Sequence, residues 1–338
     1  MKALLIGGTG TISTDVTRFL LANGWDVTLL NRGLRENPFP AARQIIADMN
    51  DEAAVCSALR NERFDVIADF ICFTPDQALR DVRLFTGKTR QMLFVSSASA
   101  YQKPLVSPVI TESTPLCNPY WQYSRDKAAC EEVFLRAFRE DGFPVTIVRP
   151  SHTFCEKTMV VPLHGRLGAW QVLKRIREGK RVLVPGDGNS LWAVMSSEDF
   201  APAFAGLMGN IHAIGQAVQI TAEELLTWNQ ILQVIADAVG GPYRPCYVPS
   251  ALLAQCAAYD FRGALLGDKS NTVIFDNAKL HALVPSFRAQ YRFDQAAPRS
   301  VRYFLTHPEA QRDDADFDRF CDRVVEVMER AEREIAAL

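Results

Sequence analysis

The stretch MKALLIGGTGTIS (residues 1–13) decides the fold of this 338-residue chain. Residues 3–6 read as a short buried strand, Gly7-Gly8-Thr9-Gly10 as a turn, and residues 15–22 as a helix closed by Asn23-Gly24. Glycine lets a backbone turn sharply and approach a pyrophosphate. The helix N-terminus behind it offers N–H groups and the positive end of the peptide dipoles. A glycine pattern placed between strand and helix makes Gly7, Gly10, Thr11 and Ile12 candidates to hold a dinucleotide. Ser13 occupies the position usually given to a third glycine, where a small residue is needed for helix–strand packing. The apolar run is too short for a signal peptide and leads straight into the glycines.

Outward from this unit, strand and helix signals alternate. Strands are expected at 27–30, 44–46, 66–70, 92–97 and 145–148, and helices at 51–60, 75–86 and 124–141. This alternation predicts an α/β fold, a Rossmann-like doubly wound parallel sheet with helices on both faces. After about residue 150 the loops lengthen. Helices at 170–178, 198–208, 227–239 and 314–336 and a strand at 182–184 are expected there. The division predicted is an NAD(P)-binding domain over 1–155, with a return segment near 196–220. A smaller C-terminal substrate domain is expected from 156–195 and 221–338.

The net charge is −2 and no basic run occurs, so neither nucleic acid nor a membrane surface is an expected partner. No stretch approaches a membrane span, and a cytoplasmic location is expected. None of the eight cysteines forms a CxxC pair, so buried reduced thiols are expected and no metal site.

The second strand ends at Asn31-Arg32-Gly33. An acidic residue there would accept from the adenosine ribose and repel a 2′-phosphate. Asn31 cannot repel it and Arg32 can pair with it, which favours NADP, with NAD as the alternative. The other reading of Arg32 is stacking on adenine or plain solvation. Asp48, with Met49 beside it, follows the next strand and is placed to meet the adenine. Phe70 and Phe73 are expected along the cofactor path, as is Pro150 at a later strand end.

Tyr123-Ser124-Arg125-Asp126-Lys127 places a tyrosine and a lysine four apart, on one helix face. A free phenol has a pKa near ~10. A neighbouring ammonium stabilises the phenolate and lets the tyrosine exchange a proton with a substrate oxygen. Ser97, at the end of the strand within FVSSASAY (residues 94–101), can hydrogen-bond that oxygen. The other reading is that these serines only satisfy backbone groups at a strand end.

At GGTGTIS, NRG, FVSSASAY, YSRDK and VRPSHTF the chain resembles the extended short-chain dehydrogenase/reductases, in particular the NAD-dependent epimerase/dehydratase family. The resemblance runs to about Phe200 and thins beyond. It implies a catalytic Ser97–Tyr123–Lys127 triad, bound NAD or NADP, a small-molecule substrate and a homodimer. Three departures bear on the reaction. Ala98 and Ser99 stand where the family's 4,6-dehydratases carry an acidic pair, which disfavours dehydration. His152 replaces an asparagine, and can touch the cofactor or the substrate. In Gly186-Asp187-Gly188-Asn189-Ser190-Leu191-Trp192, tryptophan replaces the arginine that clamps a nucleotide-sugar pyrophosphate. Trp192 either stacks on a sugar or belongs to the core. Ser99, Arg166, Trp170, Lys269 and Asn271 are further candidates around the substrate.

Three functions follow. The first is an epimerase-like enzyme acting on a sugar or nucleotide-sugar hydroxyl. The second is an NADPH-dependent reductase or dehydrogenase of a small carbonyl compound. The third is a binding protein on the same scaffold, some plastid relatives of the family being associated with RNA; the acidic balance argues against it.

Overall fold

The computed structural model describes residues 1–34 and 36–338. Among them, the main sheet contains Lys2–Ile6 (β1), Asp26–Asn31 (β2), Arg43–Ile46 (β3), Phe64–Asp69 (β4) and Thr89–Val95 (β5), then Val145–Pro150 and Ala217–Ile220. All pair in parallel, in the spatial order Ala217–Ile220, Val145–Pro150, β5, β4, β1, β2, β3. This is the expected Rossmann-like sheet. Chain order reverses between β1 and β4, and an open α/β sheet has its crevice at such a reversal, beyond the carboxyl ends of the strands.

The layers follow from strand alternation. Ala3 and Leu5 face one apolar cluster, with Val16 and Leu20 of the helix Ser13–Ala22 (α1) and Phe200 and Phe204 of the helix Ser197–Leu207. Leu4 and Ile6 face the other, with Val55, Ala78, Phe85 and Phe134. The helix Pro75–Phe85 starts with proline and a Thr74/Gln77 capping box. The helix Gln122–Asp141, which carries the YxxxK pair, ends at Gly142 with φ +69°. These and the other expected helices begin and end within a few residues of where the sequence places them.

A third apolar cluster joins Phe154, Trp170, Leu173, Trp192, Trp228, Ile231, Phe293 and Phe317. The strand Leu191–Ser196 runs antiparallel to Leu225–Thr227 and parallel to His152–Phe154. The helix Phe293–Thr306 is not foreseen from the sequence, because Pro298 sits inside it. An interior proline costs a helix about 3 kcal/mol. Burial of Phe293, Ala296, Ala297, Val301 and Phe304 outweighs that cost.

All eight cysteines are free, but the expectation that they are buried needs correcting. Cys72, Cys130, Cys246 and Cys321 are buried, whereas Cys56 and Cys117 are exposed on the surface. Among the described residues no helix is long and apolar enough to cross a membrane.

Candidate active site

A cleft of about 680 Å³ opens at the carboxyl ends of β1, β4, β5 and Val145–Pro150. A second cavity of about 480 Å³ shares Gly7, Gly10, Ile71 and Phe73 with it and continues past β2. Together they form one groove that crosses the glycine turn.

The turn is built for close approach. Gly7 has φ +78°, and a Cβ there would lie 2.6 Å from Ile71 Cγ2. At Gly8 a Cβ would lie 2.6 Å from Leu29 Cδ2, so this glycine serves helix–strand packing. Ser13 does more than fit. Its hydroxyl donates to the Gly7 carbonyl (2.6 Å) and accepts from the Gly10 amide (2.8 Å), closing the loop from inside. Replacing Gly7 with alanine is expected to cost about 1–2 kcal/mol through the left-handed backbone alone. It should also weaken dinucleotide binding. Thermal unfolding with and without NADPH checks both effects.

The adenosine-side candidates Asn31, Arg32, Asp48 and Met49 all line the second cavity. Arg32 is exposed, and Asp48 accepts from the Asn50 amide at 2.9 Å. Arg80 also lines it, donating to Asp81 at 2.8 and 3.0 Å. Burial and the neighbouring Asp69 push Asp81 well above the usual carboxylate range. The Oδ2 atoms of Asp69 and Asp81 are both buried without a hydrogen-bond partner. Asp69 Oδ1 meanwhile accepts from the Ile71 amide at 2.6 Å, fixing the turn after β4 that lines the groove.

In the larger cleft stand Thr11, Ile12, Phe70, Phe73, Ser97, Ser99, Tyr123, Lys127, Pro150, His152, Trp192 and Lys269. The Lys127 ammonium donates to the carbonyls of Cys72 (2.6 Å) and Val95 (2.7 Å). It lies 4.6 Å from the Phe73 ring centre and 5.9 Å from that of Tyr123. Burial lowers its pKa. The expectation that Lys127 depresses the Tyr123 phenol needs correcting. Burial raises that phenol above its ordinary value, and the neighbour opposing the rise is Ser97, through a hydrogen bond. Ser97 is itself within 2.9 Å of Ser99 Oγ, which accepts from the fully buried Ser124 hydroxyl at 2.8 Å. Burial, with Lys269 adding to it, lowers the His152 imidazole to a pKa of about 3, so it is neutral. Its ring meets Trp192 edge-on at 6.1 Å.

Other candidates fall elsewhere. Arg166 lies outside this cleft, over the Tyr259 ring at 5.7 Å, in a neighbouring depression that shares His164, Ala264 and Lys269 with it. Trp170 stacks on Phe304 and donates to Asp313 at 2.8 Å. Asn271 braces the carbonyls of Leu266 and Asp268. Trp192 is buried, with Nε1 donating to the Lys269 carbonyl at 3.1 Å. Sequence reasoning passed over Arg80, Lys103, Trp121, His164 and Asp268, which also line the groove. Asp268 had one weak signal, its place beside Lys269.

Residues 77–220 match the model of the NAD dependent epimerase/dehydratase family. Over that segment the chain is similar to that family. The 2′-dehydrokanamycin reductase from Streptomyces kanamyceticus is 27% identical, over 85% of this chain and 80% of its own length. UDP-glucose 4-epimerase from Lactobacillus helveticus is 31% identical over 44% of this chain and 51% of its own length. The UDP-glucose 4-epimerase of Thermus thermophilus, solved as a complex with NAD, shares the fold. Its TM-score is 0.70 at 19% identity, over 91% of this chain and all of that one.

Proposed function

We propose that this chain is an NADPH-dependent reductase of a carbonyl compound, with Ser97, Tyr123 and Lys127 as its catalytic residues. The observation that carries the reading is the single groove that has the Gly7–Gly10 turn and the Ser97/Tyr123 pair in its walls. A nicotinamide dinucleotide bound there supplies hydride. Gly7, Gly10 and the amides of Thr11 and Ile12 hold its pyrophosphate, and Asn31 and Arg32 face its adenosine end. The Tyr123 phenol, kept protonated by burial, gives its proton to the substrate oxygen. The Ser97 hydroxyl donates to the same oxygen and holds it in place. Lys127, tethered by two carbonyls, keeps a positive charge behind the phenol as negative charge develops on its oxygen. Residues 156–195 and 221–338, with the third apolar cluster, form the substrate side of the cleft in this reading.

Net reduction stands ahead of epimerisation for two reasons. The arginine that the resemblance assigns to nucleotide-sugar binding is Trp192, whose indole is occupied with the Lys269 carbonyl. The relative matched over 85% of the chain is itself a reductase. Epimerisation remains the second reading, supported by the family match and the epimerase relative.

The cofactor content of the purified protein separates the two. Protein that arrives without nucleotide and oxidises added NADPH in the presence of a carbonyl substrate supports reduction. Tightly bound, stoichiometric NAD overturns it in favour of epimerisation. Arg32→Ala is expected to raise the KM for NADPH about tenfold, the loss of one charge-assisted phosphate contact, with little change for NADH. Equal KM values for NADPH in the variant and the parent would remove Arg32 from the cofactor site.

A further inference from the structure

The C-terminal helix Ala315–Ala336 carries two apolar stripes. Phe317 and Cys321 are buried in the third apolar cluster. Phe320, Val324, Val327 and Met328 recur at the spacing of another helix face. They line a trough of about 750 Å³, roomier than the cleft of about 680 Å³. Leu252 and Leu253, from the short helix Ser250–Leu253, line it as well. Cys256, Ala257 and Ala258 follow, and their small side chains leave the space open. Leu252 is 57% exposed and Val327 is 52% exposed, so apolar surface from both segments meets solvent. Apolar surface gathered in a concave groove marks a place where something binds.

The charge around this trough is one-sided. Arg166, Arg319 and Arg323 line it, against the single acid Asp316. Asp316 is paired with Arg319 on the same helix, whereas Arg166 and Arg323 take part in no ion pair among the described residues. Arg166 lies over the Tyr259 ring at 5.7 Å. Tyr259 is stacked on Phe261 and packed against Phe320, 5.0 Å away, so the aromatic end beneath Arg166 is fixed. A depression of about 270 Å³ separates this end from the cleft. It shares Arg166, Ala258 and Tyr259 with the trough, and His164, Ala264 and Lys269 with the cleft. Two arginines without a counter-charge beside an apolar groove complement one negative head on an apolar chain.

We infer that the trough is a second binding site, separate from the cleft, and that it takes an anionic amphiphile: a single acyl chain ending in a carboxylate. The carboxylate meets the Arg166 guanidinium, whose planar fork suits it, at the Tyr259 end. The chain lies along Phe320, Val324, Val327 and Met328. That wall is ~12 Å long, eight residues at about 1.5 Å each. Two larger occupants fit less well. A partner helix is ~10–12 Å across with its side chains, too thick for a trough of about 750 Å³. An anionic membrane surface would meet the rest of the helix Ala315–Ala336, which carries seven acids against four arginines and would be repelled. A slender chain with one charge reaches the arginines without meeting that acidic face.

The test is isothermal titration calorimetry of the full chain with octanoate, nonanoate and decanoate, each ionised and below its micelle-forming concentration. Every added methylene is expected to tighten binding about fourfold, the effect of burying one CH2 group. Decyltrimethylammonium, with a chain of the same length and the opposite charge, should bind at least tenfold more weakly than decanoate. Leu252→Asp and Val327→Asp, both at exposed positions, should each weaken decanoate binding at least tenfold. Arg166→Ala should weaken all three acids alike and keep the gain per methylene. Saturating NADPH should leave the affinities within about twofold. Absence of decanoate binding, an affinity that ignores chain length, equal binding of the cation, binding untouched in both aspartate variants, or displacement by NADPH overturns the proposal. Co-sedimentation of the protein with phosphatidylglycerol vesicles, without binding of free decanoate, also overturns it and makes the trough a membrane contact.

Discussion

Tyr123→Phe is expected to reduce turnover roughly a thousandfold while leaving NADPH affinity within about twofold. The loss corresponds to about 4 kcal/mol of transition-state stabilisation. Hydride arriving at a carbonyl carbon leaves negative charge on the oxygen, and the phenol is the acid that the cleft offers there. Its raised pKa, caused by burial, keeps it protonated at neutral pH, as an acid must be. Ser97 is bonded to Ser99 and is too weak an acid to take over. Lys127 cannot substitute directly, because its ammonium is already committed to the Cys72 and Val95 carbonyls. Phenylalanine keeps the ring and its packing against Trp121, whose centre lies 5.0 Å away, so the fold should persist. Stopped-flow oxidation of NADPH measures the rate and fluorescence titration measures the affinity. A variant within fivefold of the parent rate would remove Tyr123 from the chemistry.

The parts of this site that the sequence reveals are those fixed by local geometry. A strand, a glycine turn and a helix follow one another within some twenty residues, so the glycine turn needs no tertiary information. Tyr123 and Lys127 share a helix face by spacing alone, and Ser97 follows β5 by alternation. The parts that stay hidden depend on distant partners. Ser13 looks like a tolerated small residue, and only the folded loop shows its hydroxyl bridging Gly7 and Gly10. Trp192 reads equally as a sugar platform or as core until its indole is found on the Lys269 carbonyl. Asp268 reaches the cleft on a π-turn, which has no periodic sequence signature, and its position is set by indoles at 192 and 228. Lys103 reads as a solvated lysine, yet it is buried. Pro298 masks a helix that only burial can pay for.

The same helix face that carries Tyr123 and Lys127 continues, four residues on, to Glu131, and the second large effect is expected there. Glu131 and Arg149 form a buried ion pair at 2.6 Å, with further hydrogen bonds at 3.0 and 3.2 Å. Ser96 donates to Glu131 at 2.5 Å, and Arg149 also donates to the Glu112 carbonyl and lies over the Tyr101 ring. Tyr101 in turn donates to Gln219 at 2.9 Å. The network thus joins β5, the helix Gln122–Asp141, Val145–Pro150 and Ala217–Ile220 directly beneath the cleft. Glu131→Ala leaves the Arg149 guanidinium buried without its counter-charge, and is expected to cost about 3–5 kcal/mol. Replacing both partners with apolar residues of similar volume, Glu131→Leu with Arg149→Met, removes the charges together and should cost clearly less than the single change. Urea titration separates the cases: the midpoint falls furthest in the single variant, with the slope unchanged. Because Ser96 loses its acceptor next to Ser97, the single variant should also reduce kcat more than the KM for NADPH. A single variant as stable as the parent would mean that the pair contributes nothing net. A double variant less stable than the single would show that the specific hydrogen bonds, not the relief of an unpaired charge, govern this layer of the fold.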